Sequence, residues 1–288
     1  MKSDLHLHSD YSDGSFSPVE IMQKCKDRGV EVVSLTDHEN VNGILEAKEA
    51  GDKLGIRVIP GIELSSDFQG GEHHLLGYFV DPSNQKLKEF LEIWKASKIT
   101  QIKEIIGNLQ KFGFEVSLEQ VINSAKGSLD RYHIVRAMFP DHEKSAEAKE
   151  EHSRFFKKFL MEKSHGGEGL AFVERKKPDI QSAVNVIHDA GGMAFWAHPF
   201  WKIRDESVIR GLAKIFDRIG IDGVEVLYPY HSKEQAALLH KIARDFSLYE
   251  SSGSDFHRKD DSVRQIAGFQ DFGIEINFPF YLEEGGNT

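Results

Sequence analysis

The sequence predicts a mixed α/β fold: a distorted seven-stranded (β/α) barrel interrupted by a helical insertion. Two observations carry this expectation. Short apolar runs with the two-residue period of strands alternate with amphipathic helical stretches, the signature of β/α units. That rhythm stops after Pro82, gives way to helical pattern alone, and resumes near Pro178. Strands are expected at about 2–7, 31–36, 57–63, 73–80, 193–198, 222–228 and 248–254, paired mainly in parallel. Helices at 17–28 and 41–54 lie between the early strands and end at Gly29 and Gly55, residues suited to helix C-termini. From 84 to 168 the pattern is helical, with expected helices Leu87–Phe112, Leu118–Ser124, Arg131–Met138 and Ala146–Met161. The insertion leaves through the glycine-rich run Gly166-Gly167-Glu168-Gly169. A helix over Pro178–Ala190 then leads back to strands. The expected domains are therefore a barrel from 1–83 and 169–288, and a helical cap from 84–168.

Composition narrows the function. The chain has 288 residues, long enough to bury roughly three quarters of its unfolded surface without staples. Its 46 acidic and 36 basic side chains give a formal charge of −10, which argues against a basic surface gripping long nucleic acid. The single cysteine, Cys25, excludes an intramolecular disulfide framework and reads as a packing thiol in a helix. No run approaches the roughly 18 apolar residues of a membrane span, and Asp4, His6 and His8 interrupt any leader-like start. The default expectation is a cytoplasmic protein.

Histidine is the unusual component, with 14 present. In Asp4-Leu5-His6-Leu7-His8, strand alternation projects both imidazoles to one face, either as a pair of metal ligands or as two surface histidines. Other metal-capable groups recur at the ends of expected strands. Asp13 lies in the turn Ser12-Asp13-Gly14, and His38 follows Val32–Leu35. Glu63 ends Val58–Ile62, His74 opens Leu75–Tyr78, and His198 closes Ala194–Ala197. Asp255 and His257 stand two apart in Gly253-Ser254-Asp255-Phe256-His257. Active sites of barrel-like α/β folds assemble at one end of the strands, so this recurrence points to a multinuclear metal site.

The ordered segments DLHLHSDYSDGSFSP, LTDHENVNG, PGIELSS, HHLLGYFVD, RYHIVRAM, IHDAGGMAFWAHP, GVEVLYPYHS and GSDFHR cover nearly the whole chain. Together they resemble the PHP (polymerase and histidinol phosphatase) superfamily of metal-dependent phosphoesterases, in particular its small nucleotide and RNA-end phosphoesterases. The resemblance implies a distorted seven-stranded barrel holding three divalent metals in the strand-end cleft. It places His6, His8, Glu63 and Asp255 around the first metal. Glu63 bridges to a second, completed by His74 and His198, while Asp13, His38 and His257 hold the third. This nitrogen and oxygen donor set suits manganese, zinc or iron. The activity implied is hydrolysis of a phosphate ester by a metal-activated water, with His257's neighbourhood available to the leaving oxygen. The substrate implied is a small one, a 3′,5′-bisphosphorylated nucleoside or a short 5′-phosphorylated RNA.

Arg131-Tyr132-His133 resembles the family's Arg-Pro-His element, whose arginine and histidine contact phosphate, with tyrosine replacing proline. The alternative is a surface arginine and a capping or packing histidine. Asp4 and Asp37 adjoin ligands and are candidates to orient an imidazole or to cap a turn. Of the paired His73 and His74, the motif selects His74 and leaves His73 facing outward to the surface. Tyr230 and His231 are read either as lining the cleft or as capping the helix from Ser232. His142, His152 and His165 are expected to be solvated, whereas His188 and His240 belong to amphipathic helices. Trp94, Trp196 and Trp201 are read as packing residues, with base stacking an alternative for Trp201. Competing functions are histidinol phosphate hydrolysis, an amidohydrolase barrel lacking its bridging lysine, and a non-catalytic metal-stabilised interaction domain.

Overall fold

A computed structural model describes residues 2–140, 145–163, 166–259 and 261–280. Two compact units are present, one comprising residues up to Leu91 together with those from Pro178 onward, the other Glu92–Lys177.

The first unit is built on seven strands in chain order: β1 (Ser3–Leu7), β2 (Val32–Leu35), β3 (Arg57–Phe68), β4 (Gly71–Tyr78), β5 (Met193–Trp196), β6 (Gly223–Leu227) and β7 (Tyr249–Ser252). Leu7 at the end of β1 bridges in parallel to Phe256 just past β7, so the sheet nearly closes. The expected parallel pairing holds for β1–β2–β3 and β5–β6–β7, but β4 runs antiparallel to both its neighbours. The reason is local. β3 continues to Phe68, and only Gln69 and Gly70, both in the left-handed region, separate it from β4. A tight turn can join only antiparallel strands, since a parallel return needs a crossover of a dozen residues or more. The reversal places the beginning of β4 at the same barrel end as the C-terminal ends of the other strands.

Helices pack outside the sheet. α1 (Pro18–Asp27) starts at a capping box in which Ser17 and Glu20 exchange bonds, with Pro18 at the first helical position. α2 (Ile44–Leu54) ends on Gly55 at φ 68°. α1 buries Ile21, Met22 and Cys25 in a cluster with Leu7, Val33 and Leu35, and burial pushes the Cys25 thiol far up. An apolar cluster of Leu5, Val32, Ile59, Leu76, Tyr78 and Phe195 draws one or more residues from each of β1 to β5. Each of these larger side chains contributes about 1.5–3 kcal/mol on burial. The Tyr78 hydroxyl is satisfied by donating to the Leu5 carbonyl at 3.0 Å.

The helix α3 (Gln85–Lys111) begins in the first unit and continues into the second, which also contains α4 (Leu118–Asn123), α5 (Arg131–Met138) and α6 (Ala146–Phe155). The core of this second unit is Ile102, Ile105, Leu109, Val121, Ile134 and Phe159. The helix expected through Met161 instead changes at Phe156–Leu160 into a π-helical turn. His152 is buried rather than solvated. Its ring meets Phe139 edge-on at 5.1 Å, because α6 turns that face into the aromatic core despite its charged sequence. His142 and His165 lie outside the described residues. After Lys177 the chain returns through α7 (Ile180–Asp189), α8 (Glu206–Ile219) and α9 (Lys233–Phe246). No helix among the described residues is long and apolar enough to cross a membrane.

Candidate metal centre

The expected ligands of the first unit converge at one end of the strands. Glu63, fully buried on β3, lies at the centre and divides its two oxygens between different imidazoles. Its Oε2 lies 3.4 Å from His6 Nε2, 3.2 Å from His8 Nε2 and 3.0 Å from His38 Nδ1. Its Oε1 lies 2.8 Å from His74 Nδ1 and 3.1 Å from His198 Nε2. The two oxygens of this one carboxylate thus face two different sets of imidazoles. Asp255 Oδ1 faces the same histidines as Oε2, at 3.4 Å from His6 and 3.2 Å from His8. Asp13 Oδ1 lies 3.2 Å from His257 Nε2 and 3.9 Å from His38 Nε2.

Among the described residues, three groups of donor atoms lie within 4.8 Å of one another: His6, His8, Glu63 and Asp255; His8, Asp13, His38 and His257; and His38, Glu63 and His74. The first coincides with the expected first shell. The second is the expected third shell with His8 added, and the third replaces His198 with His38, although His198 touches the same Glu63 oxygen. His6 Nε2, both His8 nitrogens, Asp13 Oδ1 and Glu63 Oε2 are buried without a well-formed hydrogen bond. Buried polar atoms left in this state are costly unless something else pairs them. Imidazole and carboxylate donors gathered within 4.8 Å of one another have the chemistry to hold divalent metal ions.

The local backbone serves this convergence. Asp255 at φ 53° and His198 at φ 28° occupy the left-handed region, a strain of about 1–2 kcal/mol each that surrounding structure must over-determine. Gly253 is required for a different reason, because a Cβ there would fall 2.2 Å from that of His6. Only glycine lets the end of β7 approach the histidine strand this closely.

Electrostatics follow the same pairing. Burial would pull the His8 imidazole down, yet Asp255 and Glu63 raise it to about 9. His74 likewise rises to about 9 against its burial, through Glu63 and Glu72. His38 behaves oppositely, its burial outweighing the Glu63 charge and lowering it to about 4. Burial would raise Glu63 too, but His38, His6 and His74 hold it well below the usual carboxylate range.

Around these groups the structure revises several expectations. Asp4 does not orient an imidazole. It accepts from the Ser254 backbone and hydroxyl and from the Ala267 N–H, at 2.9, 2.6 and 2.7 Å, tying β1 to the chain after β7. Asp37 similarly accepts from Ser9 N–H and from the Ser9 and Ser12 hydroxyls. Glu225 on β6 does the orienting: Oε1 holds His6 Nδ1 at 3.0 Å and Oε2 accepts the His198 N–H at 2.8 Å. The signal available in the sequence was a carboxylate flanked by valines, Val224-Glu225-Val226, an expensive residue for a buried strand. His73 does face away from Glu63's oxygens but is buried, packed edge-on against Trp196 and Phe216, because α8 covers that face of β4. His231 caps no helix. Ser232 caps α9 in a box with Gln235, while His231 Nδ1 donates to the Val226 carbonyl at 2.9 Å. Tyr230 is exposed, and Trp201 is partly exposed with its ring 4.9 Å from that of His74.

In the second unit, Arg131 Nη1 donates to the Leu160 carbonyl at 3.1 Å and lies 3.8 Å from Glu162. His133 is fully buried, and its Nδ1 accepts the Asp130 N–H at 3.0 Å as the third residue of a capping box. This is the capping alternative read from the sequence.

The family model for the PHP domain matches residues 4–277, nearly the whole chain. The chain belongs to the PHP domain family. It is 34% identical to a 5′-3′ exoribonuclease of Haemophilus influenzae, over 89% of this chain and 90% of that one. It is 28% identical to a 3′,5′-nucleoside bisphosphate phosphatase of Chromobacterium violaceum, covering 93% of this chain and 91% of the relative. Among solved structures, an amidohydrolase of Chromobacterium violaceum with bound sulfate and no metal superposes with a TM-score of 0.79 at 26% identity, covering 92% and 90% of the two chains. The PHP chain described here is a metal-dependent hydrolase of phosphate esters. That rules out the non-catalytic reading.

Proposed function

We propose that this PHP protein removes phosphate from small nucleotides, either a 3′,5′-bisphosphorylated nucleoside or the terminal nucleotide of a short 5′-phosphorylated RNA. The observation that carries the reading is the split of the Glu63 oxygens between His6, His8 and His38 on one side and His74 and His198 on the other. Relatives named for a bisphosphate phosphatase and an exoribonuclease, aligned over most of the chain, supply the substrate class.

In this proposal three divalent ions are held by His6, His8, Glu63 and Asp255; by Glu63, His74 and His198; and by Asp13, His38 and His257, with manganese, zinc or iron suiting the donors. Bound metal supplies Lewis acidity to the phosphoryl oxygens and lowers the pKa of water from about 15.7 toward about 7. The chain itself provides the rest. Glu225 fixes His6 so that Nε2 points toward Glu63 and Asp255, and holds the strained His198 backbone. His257, its Nδ1 donating to the Asp255 carbonyl at 2.8 Å, keeps Nε2 toward Asp13, and the proton for the leaving oxygen is assigned to the neighbourhood of His257. Arg131 and His133 are carried as phosphate contacts on the strength of their motif. The arginine suits the role because a guanidinium fork can hold two phosphate oxygens.

The test is phosphate release by manganese-loaded protein from adenosine 3′,5′-bisphosphate, a 5′-phosphorylated RNA dinucleotide and histidinol phosphate. Turnover of either nucleotide at least tenfold above histidinol phosphate is expected. A preference for histidinol phosphate would overturn the substrate assignment and leave the hydrolase.

A further inference from the structure

Asp255 is held from behind by Tyr228 and Arg264, neither of which is among the expected ligands. Its Oδ1 faces His6 and His8, while its Oδ2 receives the Tyr228 hydroxyl at 3.0 Å and Arg264 Nη1 at 3.1 Å. Arg264 is itself anchored, its Nε donating to Asp261 Oδ2 at 2.7 Å. The other Asp261 oxygen accepts the backbone N–H groups of Val263 and Arg264, both at 2.9 Å. Arg264 Nη1 also lies 3.4 Å from His257 Nδ1. A single guanidinium thus spans two carboxylates, one at the metal site and one in the turn that presents it.

We propose that Arg264, assisted by Tyr228, is a positioning residue that aims Asp255 Oδ1 at the metal shared with His6 and His8. The inference rests on the reading of Asp255 as a metal ligand. Three physical points support it. Asp255 sits at φ 53°, a conformation that persists only when its surroundings fix it. A carboxylate free to rotate about its last torsion would present either oxygen, and two donors on Oδ2 remove that freedom. The planar fork of arginine can bond Asp255 and Asp261 at once through different nitrogens, which a lysine ammonium cannot do with the same geometry. The arrangement is the carboxylate counterpart of the Glu225–His6 contact, and partners of this kind are worth about 10–100-fold in metal affinity.

The experiment titrates metal-stripped protein with Mn²⁺ calorimetrically, comparing wild type with Asp255→Asn, Arg264→Met, Arg264→Lys and Tyr228→Phe. Far-UV circular dichroism confirms that each remains folded. Asp255→Asn is expected to lose one Mn²⁺ site, and retention of every site at wild-type affinity would overturn the ligand reading beneath the proposal. With that loss observed, Arg264→Met is expected to weaken the same site about 10–100-fold, with the other sites unchanged. Wild-type or tighter binding in Arg264→Met would overturn the positioning role, because the guanidinium would then contribute only a charge opposing the metal. Arg264→Lys distinguishes geometry from field: a loss close to that of Met supports the fork, and full rescue overturns it. Should the Arg264 variants fail to fold, Tyr228→Phe removes a single hydroxyl. It is expected to weaken the same site severalfold, and no change at that site would overturn its part.

Discussion

The barrel unit and the helical unit both bury imidazoles, and the surroundings differ sharply. In the barrel unit His6, His8, His38, His74 and His198 converge on the oxygens of one carboxylate, and most of them face a second. In the helical unit His133 meets a backbone N–H and His152 meets a phenyl ring. The same side chain therefore serves as a ligand candidate in one place and as a cap or packing group in the other. What marks the ligand candidates is that five imidazoles share the two oxygens of one buried carboxylate, whereas His240 has Glu250 to itself at 2.6 Å. His231, outside the ligand set, is also buried in the barrel unit, against Phe200 and Tyr228 with its Nδ1 on a carbonyl.

The sharpest way to break this comparison is to neutralise its centre. Glu63→Gln keeps the shape of the side chain but removes the charge that both oxygens share among five histidines. Loss of bound metal and a fall in kcat on the order of 10³-fold are expected. Metal content by mass spectrometry and steady-state turnover check it together. Retained metal with retained turnover would make Glu63 a packing residue.

A second expectation concerns pH and His231, whose burial outweighs the nearby Glu225 charge. Burial lowers His231 from the ordinary 6.5 to about 4. The unfolded chain thus takes up a proton near pH 6.5 that the folded chain refuses until about pH 4. Stability from this group is fully present above pH 6.5 and is lost as pH falls toward 4, by on the order of 3 kcal/mol. Denaturant unfolding of wild type and His231→Asn at a series of pH values isolates the contribution. The difference between them should narrow as pH falls through this window, and a difference independent of pH would show that His231 does not titrate there.

Glu225 extends the comparison from ligands to their supports. Glu225→Gln should reduce metal affinity about tenfold and Glu225→Ala about 100-fold, because His6 loses the partner that fixes its ring. Isothermal titration with Mn²⁺ measures both, and equal affinities in the two variants would separate the charge of Glu225 from its hydrogen bonds.

The ligand candidates were legible because each lies in a short run at a strand end, where alternation decides which way a side chain points. Glu63 and His74 could be paired in advance only as members of a motif. Their meeting across an antiparallel hairpin depends on β3 running on to Phe68, which the apolar pattern ending near Ile62 did not announce. The supports were less legible. Tyr228, just past β6, and Arg264, in an irregular segment with no period to read, reach Asp255 from positions 27 and 9 residues away in sequence. His73 and His152 were misjudged for one reason: polar sequence says nothing about whether a helix such as α8, or an aromatic cluster such as Phe139 and Phe155, will cover the side chain. For Asp4 and Asp37 the sequence leaves two roles open, and the structure gives both of them backbone N–H and hydroxyl partners rather than an imidazole.

The smallest expected effect lies in the helical unit, where two roles for Arg131-Tyr132-His133 can be told apart. As a capping-box residue, His133 satisfies the Asp130 N–H, and Asp130 in turn accepts from the Tyr132 N–H at 3.0 Å. His133→Ala should then cost about 1 kcal/mol of stability with little change in KM, and His133→Gln should recover much of it, since glutamine fits the same capping position. A phosphate contact behaves the other way: KM rises in both variants and stability holds. Arg131→Ala supplies the control. Its guanidinium spends one donor on Leu160 and keeps Glu162 within 3.8 Å, so a rise in KM for phosphorylated substrates at constant kcat requires the remaining donors to reach substrate. A fall in stability alone would assign the whole motif to the fold of the helical unit and leave phosphate recognition to the barrel.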